Sequence, residues 1–198
     1  MPLHVRPVLT ASTVGVLAVV ASRWAHRRLV TGDHVMDLSI GRTTRPLGPV
    51  DTRIEAPREL VFDVIASPYL ASPPSSFAEK IQVLERSGEM VLAAHRTPIP
   101  EGLVATTVET VRFERPGAMY FRLLRGPVPH VIERFELTED EDATLFHYEG
   151  ELGVDLWALG RWWGDLVARR WDAAVRGSVA EITRVAEIRA ARHRREQA

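Results

Sequence analysis

Glu133 is the first residue whose type and place suggest chemistry. In the run His130 to Leu137, alternation puts Val131, Glu133, Phe135 and Leu137 on one face and His130, Ile132, Arg134 and Glu136 on the other. The first face is apolar apart from Glu133, so this carboxylate is expected to point inward. Desolvation there raises a carboxyl pKa unless a base partners it. A group so placed accepts a ligand's hydrogen bond or acts as a general acid–base. A register slip, or a salt bridge at the sheet's end, would instead leave it in water. Tyr148, on the face shared by Phe146, Gly150, Leu152 and Val154, is the second candidate for moving a proton. Glu133 and Tyr148 are the only weak catalytic candidates.

Other chemistries lack their residues. The chain has no cysteine, which excludes disulfides, Cys-ligated metals and thiol nucleophiles. Lys80 is the single lysine beside 24 arginines, which argues against imine catalysis. His95, His130 and His147 fall on expected strands, and none forms an HxH or HExxH pattern, so no metal site is expected. There is no G-x-S-x-G elbow and no phosphate-binding glycine loop, and no cofactor is expected. Gly150 and Gly153 suit a strand bulge or kink.

Hydropathy patterning supplies the elements that must hold these groups. Val50–Ala56 reads as a strand. A helix follows from Pro57, with Leu60, Val61, Val64 and Ile65 on its apolar face. Pro68, Pro73 and Pro74 leave room for only a short turn before Phe77. Six alternating runs come next: Lys80–Glu85, Met90–Thr97, Leu103–Glu114, Met119–Leu124, His130–Thr138 and Thr144–Val154. Their dividers, among them Ser87-Gly88 and Pro116-Gly117, suit an antiparallel meander, and Glu139 to Asp142 reads as a solvated hairpin tip. From Leu156 to Arg195 the spacing is helical, with Leu159, Trp163, Leu166 and Val167 on one stripe and a break expected at Gly160 or Gly164. Trp157 and Trp162 lie off that stripe.

The opening strand, Ala56-Pro57, Glu59, Val61-Phe62 and Ile65, followed by a meander and a terminal helix, resembles the SRPBCC or START-like superfamily. The likeness extends over about residues 50–190. It implies an α+β helix-grip fold, in which a seven-stranded antiparallel sheet wraps around the long C-terminal helix and encloses an apolar cavity. Tyr69 stands where the family often has an aromatic after the first helix, while Ser72 to Ser76 departs from versions with a second helix there. The inward faces then give the expected cavity lining: Val111, Phe113, Phe121, Glu133, Phe135, Phe146, Tyr148, Leu159, Trp163 and Val167.

The two ends read differently from the body. Residues 1–45 carry a net +4 and residues 184–198 a net +3, so the overall −1 conceals −8 between them. That balance argues against a nucleic-acid partner. Residues 7–22 are uncharged, with Arg6 before them and Arg23, Arg27 and Arg28 after. A signal peptide would carry its positive charge upstream, and a core helix would show a polar face. A membrane anchor fits best, with the basic flank placing the rest on the cytoplasmic side of the cell membrane. The organisation expected is an anchor over 1–30, a linker over 31–49 with one short strand at Val35–Ile40, and a domain over 50–198.

Three functions follow. The first is a membrane-tethered carrier or sensor of a hydrophobic small molecule or lipid. The second, allowed by the resemblance, is a polyketide cyclase/dehydrase-type enzyme whose cavity orients its substrate for Glu133 or Tyr148. The third is an interaction module like the relatives that activate a chaperone.

Overall fold

The computed structural model describes residues 8–34, 37–70, 80–99 and 102–196, with the backbone alone for 8–18. In chain order the elements are α1 (Val8–Val30), β1 (Thr43–Ile54), α2 (Arg58–Ala66) and a 3₁₀ turn (Ser67–Tyr69). They continue with β2 (Ile81–Ser87), β3 (Met90–Ile99), β4 (Leu103–Glu114), β5 (Ala118–Arg125), β6 (His130–Asp140), β7 (Ala143–Val154) and α3 (Trp157–Glu196). The strands form one antiparallel sheet in the order β1-β7-β6-β5-β4-β3-β2. This is an α+β helix-grip architecture, with α3 lying in the hand of the sheet.

Local chemistry explains the hairpins. Gly88 opens the two-residue turn between β2 and β3 with φ +56°, a conformation that favours glycine. Glu141 and Asp142 form the tip between β6 and β7. Period-two alternation then builds a row across the concave face, Leu47–Gly150–Glu133–Phe121–Val111–Val91, each opposite the next. Gly150 is required in that row. A β-carbon there would stand 2.8 Å from the Ile132 carbonyl and 3.2 Å from Glu133 Cγ, blocking the fold of the glutamate side chain over the strand.

Several expectations need correcting. β1 starts at Thr43 rather than Val50, because Thr43 to Leu47 pair with Val154 to Gly150 and gain backbone partners that a local pattern does not reveal. Residues 37–42 are an irregular loop, not a strand. Asp155 holds that loop: its buried carboxylate accepts the N–H groups of Leu38 (2.7 Å) and Ser39 (2.9 Å) and pairs with Arg42 (2.7 Å). α3 is unbroken at its glycines. Gly164 instead lets the helix approach β7, where an added β-carbon would meet Val154 at 3.0 Å. Residues 71–79, including Ser72 to Ser76 and Phe77, lie outside the described residues, as do Val35 and Met36.

α1 falls within the segment expected as an anchor. Among the described residues no helix is long and apolar enough to cross a membrane. α1 has 23 residues, but its last turns carry Arg23, His26, Arg27 and Arg28, so the uncharged run falls short of the roughly 30 Å hydrocarbon thickness.

Candidate functional site

α3 leans on one side of the sheet. It runs along β1, tied by Arg45–Asp165 (2.5 Å) and by the Gly48 and Glu55 N–H groups, which donate to Asp172 and Glu187 (both 3.2 Å). Away from β1 the sheet curves off the helix and leaves a cavity of about 620 Å³. Val64, Ile65, Pro68 and Tyr69 line it from α2 and its 3₁₀ turn, His95, Thr107 and Glu109 from β3 and β4, and Phe121, Glu133 and Phe135 from β5 and β6. α3 contributes Trp163, Val167, Trp171 and Val175, and Val30 closes one part from the end of α1. That volume lies within the range that takes a small organic ligand.

The cavity carries two hydrogen-bonded polar groups in these apolar surroundings. Glu133 Oε1 accepts the Tyr148 hydroxyl and the Trp171 Nε1–H, each at 2.8 Å. In the second group, His95 Nδ1 meets Glu109 Oε2 at 3.1 Å, and His95 Nε2 lies 3.3 Å from the Tyr69 hydroxyl. Burial, reinforced by the Glu109 charge, pushes Glu133 up to about 7 against the pull of its two donors. Burial also acts to raise Glu109, yet His95 and Thr107 hold it below the ordinary carboxylate value. Burial disfavours the charged His95 ring, but the Glu109 carboxylate outweighs it and raises its pKa. The Tyr69 and Tyr148 hydroxyls are both raised by burial, with neighbouring carboxylates adding to the effect.

Charge is thus divided unequally. Glu109 and His95 form an ion pair, while Glu133 is poised to hold or release a proton near neutrality. With Oε1 occupied by two donors, Oε2 is the atom left to carry that proton or to meet a ligand. Among the described residues no group of three His, Asp or Glu could hold a metal ion.

The ten residues expected to line the cavity divide into three groups. Phe121, Glu133, Phe135, Trp163 and Val167 line it. Val111, Phe113, Phe146 and Tyr148 are buried in the core behind that wall, where Tyr148 reaches the site through its bond to Glu133. Leu159 lies outside, exposed in the first turn of α3, because no described element covers that side of the turn.

Three further members of the cluster were not singled out from sequence. Trp171 follows Trp163 and Val167 at helical spacing, so periodicity places it on the same stripe. His95 shares strand parity with Val91 and Ala93, both buried. Glu109 follows the parity of Val111 and Phe113. The spacing signal existed for each; their meeting required the β3–β4 register, which pairs His95 with Thr107 and Ala93 with Glu109.

No protein-family model and no curated protein matches the chain. Solved structures do. The di-domain aromatase/cyclase StfQ from the steffimycin biosynthetic pathway aligns with TM-score 0.58 at 13% identity, over 93% of this chain and 62% of that one. TTHA0849 from Thermus thermophilus aligns with TM-score 0.56 at 14% identity, over 71% of this chain and 95% of that one. This chain has the SRPBCC/START-like fold. Truncated norcoclaurine synthase from Thalictrum flavum shares it, with TM-score 0.55 at 11% identity over 73% of this chain and 93% of that one. At these identities the likeness extends to the fold alone.

Proposed function

We propose that this protein is a carrier or sensor that binds a hydrophobic small molecule or lipid in the cavity between the sheet and α3. The observation that carries this reading is a roughly 620 Å³ space, walled largely by aromatic and aliphatic side chains, with Glu133 as a polar contact on its inner wall. An apolar ligand gains by leaving water, and one polar group on it would be oriented by Glu133 Oε2. Native mass spectrometry and organic extraction of the purified protein test it. A retained apolar molecule, lost or weakened in Glu133→Gln, is the expected result; a cavity that stays empty against a panel of lipids and aromatic compounds would sink it.

A second reading is favoured by one observation, the Tyr69–His95–Glu109 chain beside the same cavity as Glu133 and Tyr148. Paired groups with opposed pKa shifts suit general acid–base work on a bound carbonyl compound, as in an enzyme of the cyclase/dehydrase type. Turnover of a reactive polyketone that is abolished by both Glu133→Gln and His95→Gln, with binding retained, would favour the enzyme over the carrier.

Tethering belongs to the same proposal and rests on sequence: the uncharged residues 7–22 with arginines on both sides. These attach the chain to the cell membrane, with the cavity domain on the cytoplasmic side. Sedimentation with membranes after lysis is expected, and a wholly soluble chain would remove the tether while leaving the cavity reading intact.

A further inference from the structure

The cavity leaves a second surface unexplained. Trp157, Leu159 and Trp162, in the first two turns of α3, are 58%, 69% and 66% exposed. Leu38 and Ile40 stand exposed beside them. The loop is joined to the start of α3, where the Leu156 and Trp157 N–H groups donate to the Ile40 and Gly41 carbonyls (2.9 and 3.0 Å). The Trp157 ring covers Gly41 so closely that a β-carbon there would overlap it at 2.3 Å. The end of α1 joins the same surface. The His26 ring meets Trp163 edge-on at 6.0 Å, the Thr106 N–H donates to the Thr31 carbonyl, and Trp24 is exposed under the Arg28 guanidinium. Contiguous exposed apolar surface of this kind marks an interaction site rather than ordinary surface scatter.

Charge identifies the partner. Arg23, Arg27, Arg28 and Arg161 lie in the same segments, and among the described residues none of them meets a carboxylate. Asp37 and Asp155 are engaged with Arg42 and Asp165 with Arg45, while Asp33, just after α1, is the nearby acid that forms no ion pair among the described residues. Tryptophans interleaved with unpaired arginines match the headgroup layer of an anionic bilayer, where the rings sit between water and acyl chains and the guanidiniums meet phosphates.

We propose that this face docks the folded domain onto an anionic lipid surface, independently of residues 7–22. Trp157, Leu159 and Trp162 enter the headgroup layer, and Trp163, next to Trp162, lines the cavity together with Val30 at the end of α1. A ligand taken from lipid would therefore have a short path into the binding site; that consequence alone rests on the carrier reading.

The absence of native cysteine makes the test direct. The full chain carrying Leu159→Cys, Trp162→Cys or, at the opposite edge of the sheet, Ser87→Cys is labelled with a polarity-sensitive dye. Each is mixed with phosphatidylcholine vesicles with and without phosphatidylglycerol. On anionic vesicles the labels at 159 and 162 are expected to shift to the blue and to lose most of their quenching by iodide, while the label at 87 does neither. Arg161→Gln is expected to weaken vesicle binding about fivefold at low salt. Vesicle-bound protein whose labels at 159 and 162 stay fully quenchable attaches only through its N-terminal segment, which overturns the proposal. A blue shift that appears without lipid and grows with protein concentration assigns the face to a second copy. Failure to bind vesicles at all, with an extractable ligand still present, overturns docking and spares the cavity.

Discussion

The two sides of this sheet do different work although they are built from the same alternating strands. Under β1 and β7, α3 makes direct contact: Gly164 sits against Val154, and Phe146, Tyr148 and Leu152 are fully buried. Under β2 to β6 the helix stands off, and among the described residues no member of β1 or β7 lines the cavity. Small residues contribute to the difference, since Ala105, Thr107, Ala174, Gly177 and Ser178 stand among the larger side chains that line the cavity. One side therefore supplies packing energy, and the other spends less of its surface on packing and keeps room for a ligand.

The most damaging way to test that division is to hollow the filled side. Phe146→Ala is expected to cost about 3–5 kcal/mol, the range for truncating a buried aromatic, with urea unfolding as the measurement. A much smaller loss would mean that β7 is not where the fold is anchored.

On the cavity side the largest effect should be electrostatic. His95→Leu removes the cation facing Glu109 and leaves a buried carboxylate unpaired, for an expected loss of about 3 kcal/mol. Glu109→Gln in the same background should recover much of it, because the uncompensated charge goes too.

A subtler difference lies in pH dependence. Glu133 has a folded-state pKa of about 7, above its ordinary value of 4.5, so the native state binds more protons between those values. Its contribution is fully favourable below about pH 4.5 and is lost as pH rises through 7. The stability difference between Glu133→Gln and the parent should therefore shift in favour of Gln from pH 5 to pH 8. The Glu133 charge also helps to raise His95, so the His95 titration shifts with the substitution and contributes to that difference. Urea midpoints at several pH values check it, and a difference independent of pH would place Glu133 in water.

The smallest stability effect should come from filling the space. Val167→Phe is expected to change stability by within about 1 kcal/mol, where the same enlargement in a filled core costs about 1–3. Ligand retention should nevertheless fall sharply. A large destabilisation with retention unchanged would show that the cavity side is as tightly packed as its neighbour.

Much of this was legible in the sequence because strands and helices repeat on fixed periods. The seven strands, the terminal helix and the inward direction of Glu133 all follow from residues two or four apart. Tyr69, His95, Glu109 and Trp171 did not emerge as a group, since they come from four elements and their sequence neighbours say nothing of one another. Leu159 shows the converse error: its spacing matched the apolar stripe, yet its turn lies where nothing covers it.

By itself, then, the sequence determined the alternation that makes the sheet, the aromatic faces, the lack of thiol chemistry and the cationic ends. Local periodicity and composition suffice for those, because each depends on residues close in the chain. Only the tertiary structure decided that α3 would grip β1 and β7 and stand clear of β2 to β6. Strand register brought a second carboxylate and a histidine to the cavity that Glu133 lines, and the helix placement left three apolar side chains of α3 in water. Both outcomes depend on register and curvature, which are set by contacts between residues far apart in the chain.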